Sequence, residues 1–179
     1  MTLPACIRVT CAQAKVGFVF ARRGLILEAC SSYFLPRLIG MSRALHLVTT
    51  GSVYQANHPL LHELFSEVLP TPEAMVARAL EIADDISRNT STVSTKLMRD
   101  LMYRGPHSAE ATHLLDSRVI HSLFGSKDNE EGIKSFFEKR APRFEGTMQN
   151  DAPEAYPWGN RTDVKRKARV AKIGGKANL

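Results

Sequence analysis

The chain has 179 residues, 44% hydrophobic and 23% charged, with a formal net charge of +6. That length and balance suit one domain with its own core. No stretch approaches the roughly 18 unbroken apolar residues of a membrane span, and Met1–Ala14, with Arg8 in its middle, does not read as a signal peptide. Cys6, Cys11 and Cys30 form no C-x-x-C pair, which predicts reduced, part-buried thiols in place of a disulfide framework.

In chain order, Ile7, Val9 and Cys11 alternate, as do Val16, Phe18 and Phe20, which predicts one or two short strands within residues 5–20. Gly17 inside this stretch suggests a bend or a close backbone approach. Gly24 permits a turn, and Ser31 or Ser32 can cap a helix running through Leu38, with Pro36 in its first turn or at a break. A second helix, Ser42 to Thr49, is closed by Gly51.

Thr71-Pro72-Glu73 has the order of a helix start: cap, proline at the first helical position, then an acid favoured by the helix dipole. Met75, Val76, Ala79, Leu80, Ala83 and Ile86 then fall on one face. A further helix carries Val93, Leu97, Met98, Leu101 and Met102 and stops at Gly105-Pro106. Another starts near Ser108 and carries Leu114, Leu115, Val119, Ile120, Leu123 and Phe124. A short one covers Glu130 to Glu138. A little β-structure followed by a run of helices is unusual for a complete α/β unit, because one or two strands do not stand alone.

The charge is not spread evenly. Residues 161–179 hold seven Lys and Arg side chains against Asp163, so the rest of the chain is neutral overall. A short basic end without interleaved aromatics reads as a solvated tail, and no nucleic-acid partner is expected.

Four segments, in order, resemble the enoyl-CoA hydratase/isomerase (crotonase) family. Ala14-Lys15-Val16-Gly17-Phe18 through Gly24-Leu25 is similar to its "A-x-F-G-x-P-E-x-x-x-G" strand and turn. Leu35-Pro36-Arg37-Leu38-Ile39-Gly40, with Ala44-Leu45 and Thr50-Gly51, resembles "R-L-P-R-L-I-G…A…T-G". Val68-Leu69-Pro70 leads a helix ending at Ile86–Thr90. The run from Phe124 to Phe144 is very close to the ending "F-x-S-x-D-x-x-E-G-x-x-A-F-x-E-K-R-x-P-x-F".

The resemblance implies an α/β fold: the C-terminal part of a crotonase-like ββα spiral, followed by a helical region. It divides the chain into the end of the spiral core (1–51), a helical region for oligomerisation and CoA (52–146) and an extended basic tail (147–179). It also implies an acyl-CoA thioester as substrate, with CoA its only cofactor-like part, and homo- or hetero-oligomers (trimers or hexamers) built through the C-terminal helices.

Such enzymes stabilise an enolate with backbone N–H donors and move protons with one or two carboxylates. The second carboxylate of the hydratases falls at Phe20 here, where a ring cannot act as acid or base. Glu28, four residues after Gly24, stands where peroxisomal Δ3,Δ2-enoyl-CoA isomerases resemble this chain with "G-L-x-x-E". The expected role is to take a proton from C2 of a 3-enoyl thioester and return it at C4. Leu25, Ile26 and Leu27 are expected to desolvate it; the structural alternative is a helix cap or an ion pair with Arg22 or Arg23.

Phe136, Lys139 and Arg140 are expected to meet CoA, the cations at its phosphates and the ring at the adenine or acyl end. The alternative for Lys139 and Arg140 is a surface pair of cations at a helix end, favoured by the dipole. His58 and His62 are spaced i, i+4 and Glu63 follows, but no third ligand or H-E-x-x-H order appears, so no metal is expected. The family normally has glycine where Glu63 stands.

The family's oxyanion donors include a glycine pair before a helix, and Met1-Thr2-Leu3-Pro4 resembles the end of that helix. The sequence is thus expected to start after those glycines. Losing one such donor costs roughly 10²–10³ in rate in a well-studied hydrolase, so little isomerase activity is expected of the chain alone. A non-catalytic subunit assembling with full-length relatives is the alternative function. Lys176-Ala177-Asn178-Leu179 is similar to a variant of the peroxisomal S-K-L ending, with Asn178 replacing the basic residue, which implies a peroxisomal location.

Overall fold

The computed structural model describes residues 3–159. Its elements are β1 (Val9–Cys11), β2 (Lys15–Gly17), α1 (Ser31–Ile39), α2 (Met41–Thr50), β3 (Val53–Gln55), β4 (Glu67–Leu69), α3 (Pro72–Asn89), α4 (Thr92–Arg104), α5 (Ala109–Leu123) and α6 (Lys127–Glu138). Short 3-10 turns occupy Ala21–Arg23 and Pro59–Leu61.

The two early strands occur as expected, but they do not pair with each other. β1 runs parallel to β4, with Thr10 opposite Val68, and β2 runs antiparallel to β3, with Val16 opposite Tyr54. The expectation that all β-structure comes first is corrected: β3 and β4 follow α2, so the α1–α2 hairpin lies within the crossover between parallel partners. Gly17 marks the close approach: a Cβ there would stand 2.7 Å from Val53 Cγ2.

Leu3, Val16, Phe18, Leu35, Ile39, Ala44, Leu47, Ala56, Leu61 and Leu64 form the main core. Gly51 ends α2 in the left-handed region, at φ 57°, as its position predicted. The start of α1 differs from expectation. Its cap is Cys30, which makes no side-chain capping bond, and Ser31 Oγ instead donates backwards to Glu28 O at 2.6 Å.

α3 is capped by Thr71, which accepts from Ala74 N. The helix lies on β1 and β4, and Arg78 makes a forked pair with Glu67 of β4. Its apolar stripe is not covered: Val76, Leu80 and Ile86 are exposed, and no residue of α3 is fully buried.

α4 and α5 make a second, smaller core of Val93, Leu97 and Val119, completed by Leu115, Leu123, Met148, Tyr156 and Trp158. Residues 148–158 therefore fold back onto this core, where an extended tail was expected from residue 147; residues 160–179 of that tail lie outside the described residues. Tyr33 and Phe34 of α1 meet Tyr103 of α4, with Phe34–Tyr103 ring centroids 5.5 Å apart and Tyr33 donating to Tyr103 O at 3.3 Å.

Asp100 is fully buried, and Lys96 Nζ (2.6 Å), Arg99 Nη1 (3.4 Å) and Tyr156 Oη (2.8 Å) donate to it. Burial opposes its ionisation. The hydrogen bonds from Lys96 and Tyr156, and the charges of Lys96 and Arg104, outweigh that and hold the carboxyl below its usual range.

Candidate active site

Glu28 sits between the Ala21–Arg23 turn and α1. Arg22 holds that turn against the end of α2, donating from Nε to Thr50 O at 2.9 Å and from Nη2 to Ser52 Oγ at 3.2 Å. The backbone of Glu28 is fixed by Ser31, whose N–H and hydroxyl both donate to its carbonyl. Its side chain is exposed and takes part in none of the ion pairs among the described residues.

The two residues after Glu28 hold left-handed backbone, Ala29 at φ 49° and Cys30 at φ 59°. Each costs about 1–2 kcal/mol for a residue with a Cβ, so the surrounding fold must impose the turn. The apolar enclosure expected of Leu25, Ile26 and Leu27 is corrected. Only Leu27 packs on the core, while Leu25 and Ile26 are 61% and 87% exposed. They do not enclose the exposed Glu28 side chain. Phe20 is half-buried against the main core, and no second carboxylate stands there.

The other expected site residues lie at the end of α6. Phe136 and Phe137 are 78% and 77% exposed, with ring centroids 5.8 Å apart in an edge arrangement. Lys139 is exposed at the C-terminal cap, at φ 53°. Arg140 is already engaged. Its guanidinium donates to both carboxylate oxygens of Glu131, at 2.5 and 2.9 Å, and to Glu138 at 2.6 Å. A CoA phosphate would compete with these two carboxylates for it. Glu28 and the α6 group share no hydrogen bond or ion pair among the described residues.

The motif at α6 carries a structural logic that its spelling did not reveal. Ser126 caps the helix by accepting from Asn129 N. Asp128 accepts from Ser91 Oγ (2.5 Å) at the start of α4, and from Glu145 N (3.2 Å) and Gly146 N (2.9 Å) on the returning chain. Glu131 accepts from Arg140 and from Arg143 N at 2.7 Å. Those bonds from Arg140 and Arg143 hold its pKa down to about 2. The motif is a clip that turns the chain back after α6. Its acids were visible, but nothing in the sequence said which distant backbone they would face.

An apolar groove of about 1060 Å³ runs between α4, α5 and α6, lined among others by Leu97, Met98, Leu101, Ile120, Ile133 and Phe136. Part of its signal was present in the apolar residues read along α4 and α5, such as Leu97, Met98, Leu101 and Ile120. Among the histidines, His58 Nδ1 accepts from Leu60 N and its ring lies 4.3 Å from that of Tyr54, so it caps the Pro59–Leu61 turn. Ala177, Asn178 and Leu179, expected to act in targeting, and the basic run from Arg161 lie outside the described residues.

Comparison with known proteins gives this geometry a family. The enoyl-CoA hydratase AFT3-1 of Alternaria alternata is 51% identical over 154 residues, covering 86% of this chain and 52% of its own. The enoyl-CoA hydratase ACTT3 of the same organism matches over the same shares at 51%. The crystal structure of an enoyl-CoA hydratase from Bacillus anthracis superposes with a TM-score of 0.75 at 26% identity, covering 82% of this chain and 56% of that one. DspI of Pseudomonas aeruginosa superposes with a TM-score of 0.70 at 29% identity, covering 79% and 54%. The chain thus spans about half the length of the curated relatives it matches, and the expected α/β, crotonase-like architecture is the one found. A model of the family described as enoyl-CoA hydratase/isomerase matches residues 1–147, and the chain belongs to that family.

Proposed function

We propose that the protein acts on enoyl-CoA thioesters as an isomerase, shifting a double bond through an enolate, with Glu28 as the proton carrier. The observation that carries this is the turn at Glu28. Two successive left-handed non-glycine residues directly after a solvent-facing carboxylate are a costly local geometry, of a kind that collects at reacting sites. One carboxylate suffices if C2 and C4 lie on the same face of the substrate. Glu28 would remove the C2 proton, and the pair of electrons would move onto the thioester oxygen. The same carboxyl would then return a proton at C4. Phe20 in place of a second acid supports isomerisation over hydration.

In this reading CoA enters as part of the substrate and no other cofactor is used. Phe136 would stack on an apolar portion of the thioester and Lys139 would meet a phosphate, while Arg140 serves the clip. We also propose a peroxisomal site of action, on the Ala177-Asn178-Leu179 ending, in β-oxidation or a related pathway that makes unsaturated acids. Oligomers joined through the C-terminal helices would use the apolar faces that α3 and α6 expose. Those faces also support a second reading, in which the chain is a non-catalytic subunit joined to longer relatives.

The test is conversion of a 3-enoyl-CoA to its 2-enoyl isomer, with hydration of a 2-enoyl-CoA followed in parallel. Three proteins are compared: the chain alone, the chain extended with the N-terminal half of a relative such as AFT3-1, and the extended form carrying Glu28→Gln. Isomerisation by the extended form that Glu28→Gln lowers by 10³ or more is the expected result. Hydration without isomerisation, or an indifferent Glu28→Gln, would reject the role of Glu28. Purification with a longer relative, with no turnover contributed by Glu28, would favour the subunit reading.

A further inference from the structure

The family match ends at residue 147, yet residues 148–158 pack against the second lobe. Met148, Tyr156 and Trp158 pack on Val93, Leu97 and Val119, and Pro153 is buried. Tyr156 and Trp158 meet edge to face, with ring centroids 5.2 Å apart. Both also reach the same residue of α4: Tyr156 Oη donates to the Asp100 carboxylate at 2.8 Å, and Trp158 Nε1 donates to the Asp100 carbonyl at 3.3 Å. Lys96 and Arg99, one turn and one residue before Asp100, complete its set of donors.

α4 is therefore held from one side by residues 148–158 and presents its other side to the groove through Ser94, Met98, Leu101 and Met102. We propose that residues 147–159 are a strap that fixes the position of α4 and so sets the width of the apolar groove, with the buried Asp100 as its clasp. The physical reason lies in the thinness of the core beneath. Three fully buried residues do not define the α4–α5 pair alone, so a hydrogen-bonded carboxylate supplies the geometry that packing does not. A buried carboxylate that loses a donor is strongly unfavourable, which makes docking of the strap cooperative. This device is independent of the chemistry assigned to Glu28.

The test uses the full 179-residue chain and amide hydrogen exchange read segment by segment, beside fluorescence of an apolar dye that reports the groove. Trp158→Ala removes packing and one donor; Tyr156→Phe removes only the hydroxyl and keeps the ring. With Trp158→Ala, exchange in residues 92–104 and 147–159 is expected to rise at least tenfold and dye binding to change. Exchange in residues 31–50 should stay as it was. Tyr156→Phe should move the same segments by a smaller factor, and it carries the test alone if the alanine variant does not fold. Unchanged exchange in 92–104, or an equal rise in both lobes, overturns the proposal, because a strap that merely adds stability would loosen the molecule everywhere.

Discussion

The two lobes of this chain are held together by different physics. Residues 3–65 close around Leu35, Leu47 and Leu64, all shut off from solvent, with Phe18 and Ile39 beside them. Residues 90–159 have a three-residue core and rely on three carboxylates, Asp100, Asp128 and Glu131, each accepting from several donors. Apolar burial is non-directional and needs bulk, whereas carboxylate clips need few atoms but exact partners. The second lobe thus holds its shape while leaving Met102, Phe136 and Phe137 in solvent, available to another surface.

The largest test of that contrast is a matched pair of truncations. Leu47→Ala should cost about 3–5 kcal/mol, the upper part of the range for a buried leucine, since its site is enclosed on all sides. Leu97→Ala should cost about 2–3 kcal/mol, because Leu97 also borders the groove and its neighbours can relax toward the open side. Equal losses in denaturant titration would mean that the two cores are packed alike.

A smaller effect isolates one clip. Ser91 caps α4 by accepting from Ser94 N and also donates to Asp128. Ser91→Ala removes both contacts and should cost about 1–2 kcal/mol, with the loss confined to the second lobe. A loss below about 0.3 kcal/mol would show that Asp128 is satisfied by the Glu145 and Gly146 amides alone.

The Glu131 clip has a pH signature. Its folded pKa of about 2 lies below the reference 4.5, so its stabilising contribution is complete above about 4.5. That contribution declines as pH falls from there toward 2. The wild-type chain should accordingly lose protection at Arg143 N over that window, and Glu131→Gln should flatten this part of the profile. Parallel profiles for the two proteins would place the titrating group elsewhere.

Legibility in the sequence followed the same division. Helix starts with short-range chemistry were readable: Thr71, Ser108 and Gly51 act at the positions their residue types predict. β3 and β4 were not, because three residues each are too short to show alternation and their pairing is set by β2 and β1 from far along the chain. α6 begins at Lys127, about one turn before the expected Glu130, because Ser126 caps it and Asp128 lies in its first turn. For the candidate site, the position of Glu28 came from motif spacing, while its exposure could not, because Leu25 and Ile26 read as burying residues until the turn that carries them is seen. Asp100 left one trace, an acid within an apolar stripe with its partner Lys96 four residues before it, but Tyr156 and Trp158 lie over fifty residues away.

Glu63 supplies the smallest prediction, and the one with the opposite sign. It holds φ 74°, a left-handed conformation that glycine adopts without a Cβ clash. Replacing it should remove about 1–2 kcal/mol of local strain and cost about 0.4–1 kcal/mol through the greater freedom of the unfolded chain. The pair between Glu63 and Arg43, 3.7 Å apart and largely exposed, contributes at most a few tenths of a kcal/mol by comparison. Glu63→Gly should therefore stabilise the first lobe by about 0.5 kcal/mol in denaturant titration, with the second lobe unaffected in hydrogen exchange. A loss of stability instead would mean that the Glu63 side chain contributes more to the 52–67 loop than its exposed ion pairs indicate, and that the left-handed turn is tolerated there because the loop depends on that carboxylate.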